Sequence, residues 1–214
     1  MQKFLYILYM VKYNIFMMNF ISKLSISLLI LTTIISCSAN TNVKKTMTYD
    51  ELLENNTNTA KTYDTLETKL VATATHMDAE FIESQTRKKA KNLLYDDETL
   101  SNMLMKAKIS NSYFENFLVA LYTPDDRFTD FSKGKGIWKF YVQMENSQLV
   151  EAELVKKVPR AKIAEYEILY PYISSWMQTY ELNFLRLDMA EKKLNRPFSL
   201  IITSQLCKLE IKFN

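Results

Sequence analysis

The chain has 214 residues, 48 % apolar and 24 % charged, which is enough for one folded domain with an additional segment and excludes global disorder. The net charge of +3 resides at one end: Lys3, Lys12 and Lys23 are the only charged side chains in residues 1–37. Setting these three aside leaves 24 basic residues against 24 acidic ones, and a neutral body lacks the basic footprint of a nucleic-acid binder.

From Met17 the chain has three parts: a start with Lys23, the apolar run Leu24–Ile35, and the pair Ser36-Cys37. This is the pattern of a secretory signal, and the run is too short to span a bilayer comfortably. Residues 1–36 are therefore expected to be a signal peptide, with 1–16 upstream of a better start at Met17 or Met18. An uncleaved anchor over residues 4–35, with Lys12 and Lys23 reaching the interface, is the alternative, but the two lysines interrupt it.

The four residues Ile34-Ile35-Ser36-Cys37 resemble the lipobox of bacterial type II signal peptides. The resemblance covers the export segment alone. It implies a diacylglycerol on the Cys37 thiol, removal of everything before it, and a membrane held through lipid. Ser38 stands where enterobacterial lipoproteins retained on the inner membrane carry Asp, so the resemblance implies the outer membrane of the cell envelope. The body has the general look of uncharacterised envelope lipoproteins.

Residues 37–60 read as the lipidated cysteine and a flexible tether, polar and aperiodic, with a short helix at Tyr49–Glu54. Residues 61–214 are expected to form a single β-rich domain. Thr, Val and Leu over 66–75 favour a strand. A helical insertion follows over about 78–108: Asp78 caps one helix, and Asp96 or Asp97 caps a second, in which Leu100, Met103, Leu104 and Ala107 recur at helical spacing.

Strand signals dominate after Ile109: 117–122, 137–144, 149–158, 174–187, 198–203 and 206–213. In the last of these Cys207, Leu209, Ile211 and Phe213 alternate with Lys208, Glu210 and Lys212, so one face is buried and one is wet. About seven strands with two helices after the first predict an immunoglobulin-like antiparallel β-sandwich.

No residue pattern announces catalysis. His76 is the only histidine, and a local structural role is expected for it. No Gly-x-Ser-x-Gly turn accompanies it, and one His with one free Cys makes a poor zinc site, so no metal or cofactor is expected. Lys133-Gly134-Lys135-Gly136 lacks the spacing of a phosphate loop, and Asp125, Asp126 and Asp130 lack that of a calcium loop.

Trp138 and Trp176 are expected to anchor the core. Tyr170 and Tyr172 beside Trp176 are the best candidates for an aromatic platform that would bind sugar or peptidoglycan. Cys207 is expected to act as a small apolar residue. The leading expectation is a non-enzymatic binding or assembly module, with an envelope protein or peptidoglycan as partner. The alternative is a lipid-anchored cell-wall hydrolase using Glu151 and Glu153 as acid and base.

Overall fold

A computed structural model describes residues 47–134, 136–144, 148–186, 194 and 196–214. The signal segment, the Ile34–Cys37 motif and the tether up to residue 46 lie outside the described residues, as do parts of the 133–136 and 145–148 turns. Among the described residues no helix is long and apolar enough to cross a membrane.

The compact body begins at Met47. Helix α1 (Tyr49–Asn56) is set by a capping box, in which Thr48 and Glu51 satisfy each other's backbone donors. Strand β1 (Thr57–Asp64) follows, then β2 (Glu67–His76), α2 (Ala79–Asn92), α3 (Asp97–Tyr113) and β3 (Phe114–Tyr122). The remaining elements are β4 (Lys139–Met144), β5 (Leu149–Glu151), β6 (Leu154–Lys157), α4 (Arg160–Leu169), β7 (Gln178–Leu185), β8 (Phe198–Thr203) and β9 (Lys208–Phe213).

All strand pairs are antiparallel and form two sheets, ordered β1-β2-β3-β7-β6 and β5-β4-β8-β9. The domain is mainly β and sandwich-like, as the alternation of the C-terminal segments suggests. Three details differ from the seven-strand immunoglobulin-like arrangement. Nine strands are present among the described residues, the helical pair follows the second strand rather than the first, and helix α4 separates β6 from β7. The physical reason lies in residues 57–64: as an edge strand flanked on one side only, β1 tolerates polar Thr, Asn and Lys that give no strand signal, and its first four residues read as tether. Residues 47–60 thus belong to the folded body.

The larger sheet is covered on both faces. Phe117, Val119 and Leu121 of β3 join Leu70, Ala72, Tyr180, Leu182, Phe140, Val142, Leu200 and Ile211 between the sheets. Leu118 and Ala120 join Tyr49, Leu52, Phe81, Leu169 and Tyr170 beneath the helices. Helices α1, α2 and α4 therefore form a third layer over the outer face.

One run of chain closes a side of the sandwich. Ala152 N donates to Phe140 O of the smaller sheet at 2.9 Å, and the next amide, Glu153 N, donates to Asn183 O of the larger sheet at 2.8 Å. The expected strand 149–158 therefore bends at Ala152-Glu153 and serves both sheets. On the far side Arg196 donates to Asn55 O (2.7 Å), Asn56 Oδ1 (2.5 Å) and Asn214 O (3.2 Å), tying the end of α1 to the end of β9.

The α2–α3 turn holds an unusual residue. Tyr95 N donates to Ala90 O at 2.9 Å and Leu94 N to Lys91 O at 3.4 Å, the two bonds of a Schellman cap. Its left-handed position, normally glycine, is Leu94 at φ 52°, 90 % exposed. A left-handed backbone costs a residue with a Cβ about 1–2 kcal/mol, and no burial offsets it here. Leu94→Gly should therefore raise the unfolding free energy by about 1 kcal/mol in urea titration; a loss of stability would show that the leucine side chain itself contributes to the fold.

Candidate functional site

The helical layer does not seal the sheet. A cleft of about 440 Å³ opens between α2, α3, α4 and the outer face of β3 and β7, a volume within the range of small-ligand sites. Ile82, Met103, Leu118 and Leu169 supply apolar wall. On its floor Asn183 donates to Asn116 Oδ1, and Tyr166 OH donates to Glu181 Oε1 at 2.5 Å. At its rim Lys89 pairs with Glu165, while Lys106 is exposed. A second cleft of about 560 Å³, lined by Leu104, Met105, Asn111 and Arg186, lies on another side of α3. Ile82 and Ala107 line both.

Tyrosines dominate the packing beside the first cleft. Tyr49 donates to Leu169 O at 2.6 Å, Gln85 donates to Tyr170 at 2.5 Å, and Tyr172 shares a 2.8 Å bond with Thr75. Burial pushes the Tyr170 phenol well above its ordinary pKa. Burial does the same at Tyr166, reinforced by the hydrogen bond to Glu181 and that carboxylate's charge. These phenols are neutral hydrogen-bonding groups, not bases.

The aromatic platform expected of Tyr170, Tyr172 and Trp176 does not form as a surface. Tyr170 is fully buried, Tyr172 is half-buried against the helical core, and Trp176 is exposed. Trp176 meets Tyr122 edge-on, with ring centroids 5.1 Å apart, so it is not the core anchor expected of it. The short segment Tyr170–Trp176 turns between α4 and β7, and its side chains point different ways. Trp138 does anchor the core: it stacks on Phe131 at 5.0 Å and donates Nε1–H to Phe128 O at 2.8 Å.

His76 has a structural setting that sequence patterns did not reveal in full. Its Nε2 lies 3.0 Å from Glu115 Oε2 in the sandwich interior, where the two side chains are 3 % and 0 % exposed. Arg186 Nη2 reaches Glu115 Oε1 at 2.8 Å, and Leu194 N donates to the same oxygen at 3.1 Å. The imidazole stacks on Phe117 at 4.9 Å and meets Phe198 edge-on. Among the described residues no serine, threonine or cysteine is seen hydrogen-bonded to His76. The only signal was the lone Glu115 inside the run Phe114–Tyr122.

The remaining charged candidates are engaged locally. Arg127 grips Asp125 with Nε at 2.9 Å and Nη2 at 2.7 Å, and these hydrogen bonds hold the Asp125 carboxyl down at about 2. Among the described residues no three His, Cys, Asp or Glu side chains gather to hold a metal ion. Gly136 is demanded by sterics rather than by phosphate, since a Cβ there would lie 1.9 Å from Asp130 O. Lys133 binds Glu153 O at 2.9 Å. Glu151 and Glu153 are both exposed at the corner between the sheets, outside either cleft. Cys207 is half-buried, and burial pushes its thiol pKa up.

Comparison with protein-family models, with curated proteins and with solved structures finds no match for this chain.

The Glu115 cluster makes a strong stability forecast. Removing one partner of a buried ion pair strands the others without compensation. Glu115→Ala should lower the unfolding free energy by about 3–5 kcal/mol, while the paired change Glu115→Met with Arg186→Met should recover most of that loss. Urea denaturation of the two variants checks both; a recovery absent from the double variant would show that Glu115 acts through the Leu194 amide or His76 instead.

Proposed function

We propose that this protein is an exported lipoprotein of the bacterial cell envelope, held by lipid on Cys37, whose folded body binds another envelope component without catalysis. The observation that carries the reading is the placement of the Ile34-Ile35-Ser36-Cys37 motif just ahead of the compact body, which begins at Met47. Acylation at Cys37 leaves every described element intact, and residues 38–46 give the body reach from the lipid. More than one acyl chain on Cys37 is needed for a stable hold. Ser38 favours the outer membrane in this reading.

For the activity of the body, the cleft under α3 supports binding better than hydrolysis. Its carboxylates are engaged, Glu165 by Lys89 and Glu181 by Tyr166. The pair that would serve a hydrolase, Glu151 and Glu153, faces solvent outside the cleft. An envelope protein or peptidoglycan remains the partner class, with Trp176 as an exposed aromatic contact rather than part of a three-residue platform.

Cys37→Ala should abolish fatty-acid incorporation and move the full-length protein from the membrane to the soluble fraction. Continued acylation of that variant would refute the anchor. The non-enzymatic part is checked on purified peptidoglycan: the intact protein should release no soluble fragments, whereas turnover sensitive to Glu151→Gln or Glu181→Gln would establish the hydrolase.

A further inference from the structure

Helix α3 carries apolar side chains on two opposite sides. Leu100, Met103, Leu104 and Ala107 are half-buried toward the protein. At 100° per residue, Ile109 and Tyr113 align on the opposite side, with Met105 beside them at the edge of the second cleft; the three are 54 %, 63 % and 57 % exposed. Lys106 and Lys108 flank this stripe on either side. Immediately before the helix Leu93, Leu94 and Tyr95 are exposed as well. Leu94 occupies the strained left-handed position described above, where nothing in the packing requires leucine.

The place where the tether joins the body points the same way. Thr48 caps α1, and α1 lies on α2: Tyr49 and Phe81 ring centroids are 5.5 Å apart, and Lys88 binds Asp50 at 2.9 Å. The chain thus enters the body through the helical layer. Residues 38–46, even fully extended, reach only about 30 Å. In the lipoprotein reading, a lipid on Cys37 therefore holds the start of α1 within about that distance of the bilayer.

We propose that the outer face of α3, with the Leu93–Tyr95 turn, rests in the interfacial zone of the membrane that holds the lipid anchor; this rests on the lipoprotein reading. The occupant of the exposed face is a lipid surface. Met105, Ile109, Tyr113 and Leu94 enter the headgroup–acyl boundary, and Lys106 and Lys108 lay their aliphatic stems along it with the ammonium groups in water. Around the face Lys91, Lys106 and Lys108 stand against Asp96, Asp97 and Glu98, so the charges nearly balance. Apolar contact dominates the attachment, and zwitterionic lipid suffices.

The full-length chain carrying the photo-crosslinking residue p-benzoylphenylalanine in place of Ile109, or in place of Lys212 on the far sheet, is reconstituted into phosphatidylcholine vesicles. After illumination, mass spectrometry reads both lipid adducts and acylation of Cys37. Position 109 should yield about tenfold more lipid adduct than position 212, as expected of a helix lying in the interface. Acylated protein with equal or no adducts at the two positions overturns the docked face and leaves the anchor standing. Protein without acyl groups overturns the anchor; adducts at 109 in that sample still support the face, and their absence overturns it too. Adducts at 109 that form only to protein, in native membranes, would assign the stripe to a protein partner and refute the lipid contact.

Discussion

Because β3 runs through the middle of the five-stranded sheet, with a second sheet on one side and helices on the other, its residues must satisfy two cores at once. Phe117, Val119 and Leu121 serve the space between the sheets, and Leu118 and Ala120 serve the helices. Neighbouring strands inherit the condition. In β7 Tyr180, Leu182 and Phe184 face inward while Thr179, Glu181 and Asn183 face the helical side. The near-continuous apolar run of β3 is the sequence signature of a strand buried on both faces. It also means that the helical layer is obligatory: without α1, α2 and α4, the outer face of β3 would meet water. Helix α3 is the exception, since Asn111 is its only fully buried residue among those described, and the two clefts open beside it.

The ends of the sandwich are held by different physics. At one side the covalent chain does the work, because the bend at Ala152-Glu153 commits successive amides to different sheets. At the other side no backbone ladder links β1 to β9, and the guanidinium of Arg196 reaches across to three acceptors instead. Inside, Glu115 is tolerated among aromatic rings because His76, Arg186 and the Leu194 amide satisfy both of its oxygens. Each arrangement replaces water for a group that the two-sheet geometry would otherwise strand.

Local chemistry decided which of these features were legible in the sequence. The cap Asp78, the alternation of β9 and the burial of Trp138 depend on neighbours within a few residues and are found where the pattern puts them, and of the two aspartates open as the next cap it is Asp96 that serves. Features set by distant chain were hidden. Residues 57–64 carry polar side chains because only one edge of β1 is paired, so the composition of 57–60 matched a tether and the strand's start was missed. Helix α4 packs its apolar residues Ile163, Tyr166 and Leu169 on the helical core, but it follows Pro159 with no side-chain cap and offered no start signal. Tyr170 and Trp176 stand six residues apart yet occupy opposite environments, one beneath Phe81 and one in solvent. Glu115 lies just ahead of the expected strand 117–122, and its partners come from residues 76, 186 and 194.

The same separation between sheets and helices bears on how the domain is oriented. The smaller sheet turns the charged face of β9, Lys208, Glu210 and Lys212, to solvent. Apolar exposure in the helical layer is concentrated on α3 and its preceding turn, the element least needed by the core. A helix retained with apolar residues on both sides gains little from folding alone, since its outer stripe stays wet and its inner stripe covers partly open clefts. The first described helix, α1, also belongs to this layer and lies against α2. Packing therefore explains the inner side of α3, whereas its outer stripe of Ile109 and Tyr113 contributes nothing to the core and is the face proposed above to meet lipid.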